Sequence, residues 1–149
     1  PGASAPLSDV VDSFAWLGGE VSDATDRRAR IVAAGAAIHA HEKSLTDAMI
    51  HGTGNLKGLK DMDRVTLIGG VENPAREGLV SIVVDGVPSP DVVTHLNDRG
   101  IRTHTRKADH YSGNVLDPLG YADAIRVSLC HYNSEHEVAH FLAALDDMP

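Results

Sequence analysis

The feature that most constrains the fold is a change of period near the end of the chain. Ala124-Ile-Arg-Val-Ser-Leu-Cys130 alternates every two residues, as a strand does. Ser134 and Glu137 then stand three apart, the spacing of a capping box, and Val138, Phe141, Leu142 and Leu145 recur at helical spacing. A strand that runs directly into a capped helix must bury both apolar faces against one core. The remaining elements have to supply that core.

Further runs supply them. Val10, Val11, Phe14 and Leu17 form a helical stripe that Gly18-Gly19 is expected to end. Ser22 or Asp23 is then placed to cap a long helix with Ile31, Ala34, Ile38, Leu45 and Met49 along one side, stopped by Gly52 and Gly54. Arg64 to Ile68 reads as a strand closed by Gly69-Gly70, and Leu79 to Val84 as a more buried strand bounded by Asp85-Gly86. Pro88-Ser-Pro-Asp91 starts a helix through Asn97, closed by Gly100. Ile101 to Thr105 is a short strand, and 106–120 reads as a polar loop with one helical turn at most. The predicted order is α-α-β-β-α-β-β-α. The expected class is α/β in the broad sense, an α+β two-layer sandwich. A small, mostly antiparallel sheet carries helices on one face, plus a long N-terminal helix. All 149 residues are expected to form one domain, with a helical connector over 7–52 and the sheet over 62–147.

Composition narrows the function. The formal charge is −8, which disfavours a nucleic-acid partner, since phosphate binding needs a basic face. Outside the long helix, Arg102, Arg106 and Lys107 form a tight basic group that could hold a small anion and reads first as a solvated loop. Cys130 is the single cysteine; it reads as a small buried hydrophobe that ends a strand. Nothing resembles a signal peptide or a membrane span, so the cytoplasm is the default compartment. Pro1-Gly-Ala-Ser-Ala-Pro6 carries no initiator Met and reads as a cut or processed end.

Two functional patterns compete in the last helix. His136-Glu-Val-Ala-His140 matches H-E-x-x-H, in which two histidines on one helix face chelate zinc and the glutamate serves as base. The context argues against a zinc hydrolase: only nine residues follow His140 to supply a third ligand, and Glu137 already has a capping role. Among the other histidines, His39 and His41 are read as solvent-exposed, His95 tells little, and His104 and His110 stand in or beside the polar loop.

Read as a unit, Ile125-Arg-Val-Ser-Leu-Cys-His-Tyr-Asn-Ser-Glu-His-Glu-Val138 resembles the ending of class V aminotransferases, the group that contains cysteine desulfurases. Upstream, Asp98-Arg-Gly-Ile101 is similar to the family's Asp-Glu-Arg-Gly-Ile. Leu79 to Gly86 is similar to its central Val-Ser-Phe strand, and His41-Glu-Lys-Ser-Leu45 to the His-Glu-x-x-Leu of its linker helix. Each motif is weak alone; their order and spacing carry the resemblance, which runs from residue 10 to 146.

The resemblance implies the C-terminal small domain of a larger, homodimeric fold-type I enzyme that acts on an amino acid. Pyridoxal phosphate would be held by a lysine of the preceding large domain. None of Lys43, Lys57, Lys60 and Lys107 stands in the family's lysine motif, so this chain alone is expected to be inactive. Arg126 matches the arginine that binds the substrate α-carboxylate. The loop 102–114 corresponds to the one that carries the desulfurase cysteine. Here Asp109-His-Tyr-Ser112 stands in that place, with Tyr111 at the position of the thiol. A phenol cannot carry a persulfide, a departure from the usual desulfurase mechanism. A desulfurase-like branch with Tyr-Tyr-Ala is closer, and His110 and Tyr111 are expected to line the substrate pocket. The competing expectation is a non-catalytic binding or scaffolding module with the same fold.

Overall fold

The computed structural model describes residues 4–149, with side chains from Leu7 onward. Residues 1–3 of the segment read as a processed end lie outside that range. The chain divides into two compact units, Pro1–Glu42 and Lys43–Pro149.

In the first unit, α1 spans Ser4–Val21 and α2 begins at Arg27, running on to His51 in the second. Gly18-Gly19 does not end α1. The pair lies inside it, because Gly18 is where α2 approaches most closely: a Cβ there would sit 1.8 Å from the carbonyl oxygen of Arg30. The predicted cap is also displaced. Asp26, not Ser22 or Asp23, accepts from the amide of Ala29 at 3.0 Å. Ser22 instead donates back to the carbonyl of Gly18 at 2.6 Å. The expected stripe of α2 is recognisable, with Ala34, Leu45 and Met49 buried and Ile31 and Ile38 half-buried.

The second unit holds the sheet. α2 gives way at Gly52, whose φ of +98° suits only glycine, to a small hairpin of β1 (Gly52–Thr53) and β2 (Leu56–Lys57). A single 3-10 turn follows at Leu59–Asp61. The main sheet has four strands in the order β3-β4-β6-β5, all neighbours antiparallel. They are β3 (Val65–Ile68), β4 (Leu79–Val84), β5 (His104–Lys107) and β6 (Asp123–Ser128). The helices are α3 (Ser89–Asn97), α4 (Gly113–Leu119) and α5 (Glu135–Asp146).

The fold is the expected mixed helix-and-sheet architecture with an antiparallel sheet. Strand alternation puts Val80, Ile82, Ile125 and Val127 on the inner face. There they pack with Val92 and Leu96 of α3 and Val138, Phe141 and Leu142 of α5. Burial of this apolar surface, worth about 25 cal/mol per Å², drives the assembly of the unit. His95 ties α3 to α5. Its Nε2 stands 2.8 Å from the carbonyl of Ala144 and its Nδ1 3.2 Å from Arg99 Nη1. A carbonyl only accepts and a guanidinium only donates, so this is the Nε2–H tautomer.

Two expectations are corrected in this unit. The fifth strand is not Ile101 to Thr105 but His104–Lys107, and the 106–120 segment is not mainly loop, since its second half forms α4. α4 carries Pro118 inside it and is flanked by turn formers, so local propensity conceals it. The Ser134/Glu137 capping box forms as expected: the Ser134 amide donates to Glu137 Oε2 at 2.7 Å, and the Glu137 amide to Ser134 Oγ at 3.4 Å.

Candidate functional site

The outer face of the sheet is where the polar side chains collect. Register puts Ser81 of β4, Arg126 of β6 and His104 of β5 in one row across three strands. The next row pairs Ala124 with Arg106. Ser81 and Arg126 each lie between core positions, so the buried inner face fixes how these two side chains are presented. The segment from Tyr111 into α4 stands over this end of the face. Ser81, Arg106, Tyr111, Ser112, Val115 and Arg126 are among the residues that enclose a cavity of about 220 Å³.

Arg126 is half-buried, and its Nε is fully buried with no hydrogen-bond partner among the described residues. In a chain of 21 acidic residues that is an unusual position for a guanidinium. Buried polar groups are normally paired, and an unpaired one marks a site that waits for a ligand or stores strain. Arg106 faces the same cavity, whereas Lys107, one step along β5, alternates away from it. The basic cluster read as a solvated loop is therefore divided by the strand: Arg106 belongs to the cavity, Arg102 and Lys107 do not. Sequence reasoning named Arg106 only within that basic group and not beside Arg126; its two-residue spacing from His104 was the available signal, once both were placed on a strand.

The loop that precedes α4 is braced by Asp109. Its carboxylate accepts from the amides of Tyr111 at 2.9 Å and Ser112 at 3.1 Å. Those backbone bonds, chiefly the one from Ser112, hold the carboxyl below the usual aspartate range, with help from His110 and Arg106. Tyr111 lines the cavity but is 79% exposed. His110 packs against it with the rings tilted by 41° and centroids 3.9 Å apart, and lies outside the lining. Of the expected site residues, the fold thus brings Arg126 and Tyr111 to one cavity and leaves His110 behind Tyr111.

The other candidates lie elsewhere. Cys130 does not end a strand; β6 stops at Ser128, and Cys130 is half-buried in the turn beyond it. The neighbouring Cys130 side chain raises the Tyr132 phenol above its ordinary range. His136 and His140 are exposed on α5. Between them, Glu137 is held below the ordinary glutamate range by the backbone and side chain of Ser134. Among the described residues no three His, Cys, Asp or Glu side chains are grouped to hold a metal ion. No helix among them is long and apolar enough to cross a membrane.

Comparison with known proteins bears on this arrangement. The family model of class V aminotransferases matches residues 29–141. The chain belongs to the class V aminotransferase family. A probable cysteine desulfurase of Pseudomonas putida is 34% identical over 110 residues, covering 74% of this chain and 24% of that protein. One of Halobacterium salinarum is 33% identical over 111 residues, with 74% and 25% covered. The apo structure of the cysteine desulfurase from Thermococcus onnurineus NA1 superposes with a TM-score of 0.66 at 26% identity, covering 80% of this chain and 30% of that one. The chain thus spans about a quarter of the length of the curated relatives it matches. The family depends on pyridoxal phosphate in general.

Proposed function

We propose that this chain is the C-terminal small domain of a cytoplasmic, homodimeric pyridoxal-phosphate enzyme that acts on an amino acid. The single observation that carries the proposal is Arg126: a guanidinium with a buried, unpartnered Nε in a cavity of amino-acid size. A guanidinium is a planar fork that matches a carboxylate, and mounting it on a central strand fixes its aim. Arg126 binds the substrate α-carboxylate in this reading. Arg106 adds positive potential, and Tyr111 and Ser112 close the outer wall.

No lysine lines the cavity, so nothing in it can hold the cofactor covalently. We assign the cofactor to the large domain of the parent, which leaves this chain inactive alone. When bound, pyridoxal phosphate supplies the electron sink for bond breaking at the amino acid. This chain's part is to orient the carboxylate and to limit water at the outer face. Tyr111 offers a phenol and not a thiol, which favours C–S lyase, desulfurase-like or transaminase chemistry without a persulfide on this loop.

The test uses the full-length protein. It should be yellow, with the visible absorbance of lysine-bound pyridoxal phosphate, and that absorbance should change on adding an amino-acid substrate. A colourless protein with no cofactor by mass spectrometry would overturn the proposal in favour of a binding or scaffolding module.

A further inference from the structure

The inner face of the sheet holds a second cavity that the carboxylate site does not use. Just before β5 the chain passes through Arg102 and Thr103. Continuing the register of His104 with Arg126 sets Thr103 beside Val127. There the 100–103 segment, the end of β6 and the first turns of α5 enclose about 270 Å³. Thr103 is 5% exposed, and its Oγ1 is buried without a hydrogen-bond partner among the described residues. It lines this cavity. A buried hydroxyl left unpaired is costly and uncommon, so it points to a polar group that the protein itself does not supply.

The walls divide by chemistry. Leu129, Val138 and Phe141 form an apolar floor. Arg102 and Glu137, of opposite charge, both line the cavity, with Asn133 and His140 beside Glu137 on the same wall. Arg102 is exposed and takes part in none of the salt bridges among the described residues. Glu137 spends Oε2 on Ser134, and Oε1 receives only Asn133 Nδ2 at 3.3 Å. That leaves Oε1 able to accept again, since each carboxylate oxygen offers two lone pairs. The hydrogen bonds from Ser134 also keep Glu137 ionised. One cation, one anion, a buried hydroxyl and an apolar floor complement an amphipathic zwitterion. The volume lies near the lower end of the roughly 300–1,000 Å³ of small-molecule pockets, which leaves room for a single amino acid.

We propose that this cavity binds a free α-amino acid with an aliphatic side chain. Arg102 and the Thr103 hydroxyl take the carboxylate, Glu137 takes the ammonium group, and the floor takes the side chain. The site is distinct from the Arg126 cavity, because Arg126 and Val127 are consecutive on β6 and face opposite sides of the sheet. It does not depend on the enzymatic reading above.

The experiment is an amide-detected NMR titration of the full chain with leucine, N-acetyl-leucine and leucinamide. Leucine should give saturable shifts confined to 100–103, 127–129 and 133–141. Blocking either charge should weaken binding about ten-fold, the scale of one lost charge-assisted hydrogen bond. Thr103→Val should weaken it about five-fold while the melting temperature of the free chain rises or stays level, since the substitution removes an unpaired buried hydroxyl. Arg126→Ala should leave it unchanged, which separates this site from the substrate carboxylate site. Absence of saturable shifts here, equal binding of all three ligands, or loss of binding in Arg126→Ala would each overturn the proposal.

Discussion

Arg126→Met isolates what the guanidinium costs the fold. Arg126 lies in the middle of β6, flanked by Ile125 and Val127 at 0% and 6% exposure. Its Nε is buried and unpaired among the described residues. An unsatisfied buried polar group costs about 1–3 kcal/mol. Methionine has a comparable unbranched stem and no donor, so it keeps the packing of the aliphatic part and removes the penalty. Part of the gain is offset by losing the hydration of the exposed guanidinium nitrogens. The expected net change is a stabilisation of about 1 kcal/mol, the low end of that range. For a chain of this length that raises the melting temperature by roughly 2–4 °C. Calorimetry and urea denaturation on the isolated chain measure it, with the midpoint rising and the m-value unchanged. A melting temperature that falls by a similar amount would show that Arg126 holds the sheet together. The reasoning that it is held ready for a carboxylate would then fail.

Other consequences follow from particular contacts. Gly18→Ala should destabilise by at least about 1–3 kcal/mol, because the new methyl meets the Arg30 carbonyl and α1 and α2 must separate; thermal melts followed by circular dichroism check this. Leu142→Ala, at 0% exposure on α5, should cost about 2–5 kcal/mol in denaturant titrations. Glu137 is held below its ordinary range in the folded state, so its contribution is present above the unfolded pKa and lost as pH falls through the folded one. Glu137→Gln should therefore flatten the loss of stability in the acid range below the normal glutamate titration, read from melting temperatures across pH 3–7.

How much of this was legible beforehand depended on burial. β4 and β6 were readable because one face of each is driven into the core, so apolar residues had to alternate. The start of α5 was readable because Ser134 and Glu137 satisfy a local geometric demand. β5 was misplaced by two to three residues because it is an edge strand with a polar outer face, and His104-Thr-Arg-Lys107 carries too little alternation to fix its start. Gly18 was read as a stop because glycine signals both a helix end and a close helix contact; only the position of Arg30 distinguishes them. The pairing of Arg106 with Arg126 at one cavity was hidden for a related reason. It depends on the register of β5 against β6, which no local pattern in the sequence encodes.

The most direct test of the central claim is the steady-state kinetics of full-length Arg126→Ala. If Arg126 binds the substrate carboxylate, KM should rise at least about 30-fold, the smaller cost of removing one partner of a close charge pair. The visible absorbance of the bound cofactor should stay as in the unsubstituted protein. A KM within about two-fold of the unsubstituted enzyme, or loss of the cofactor itself, would contradict the account.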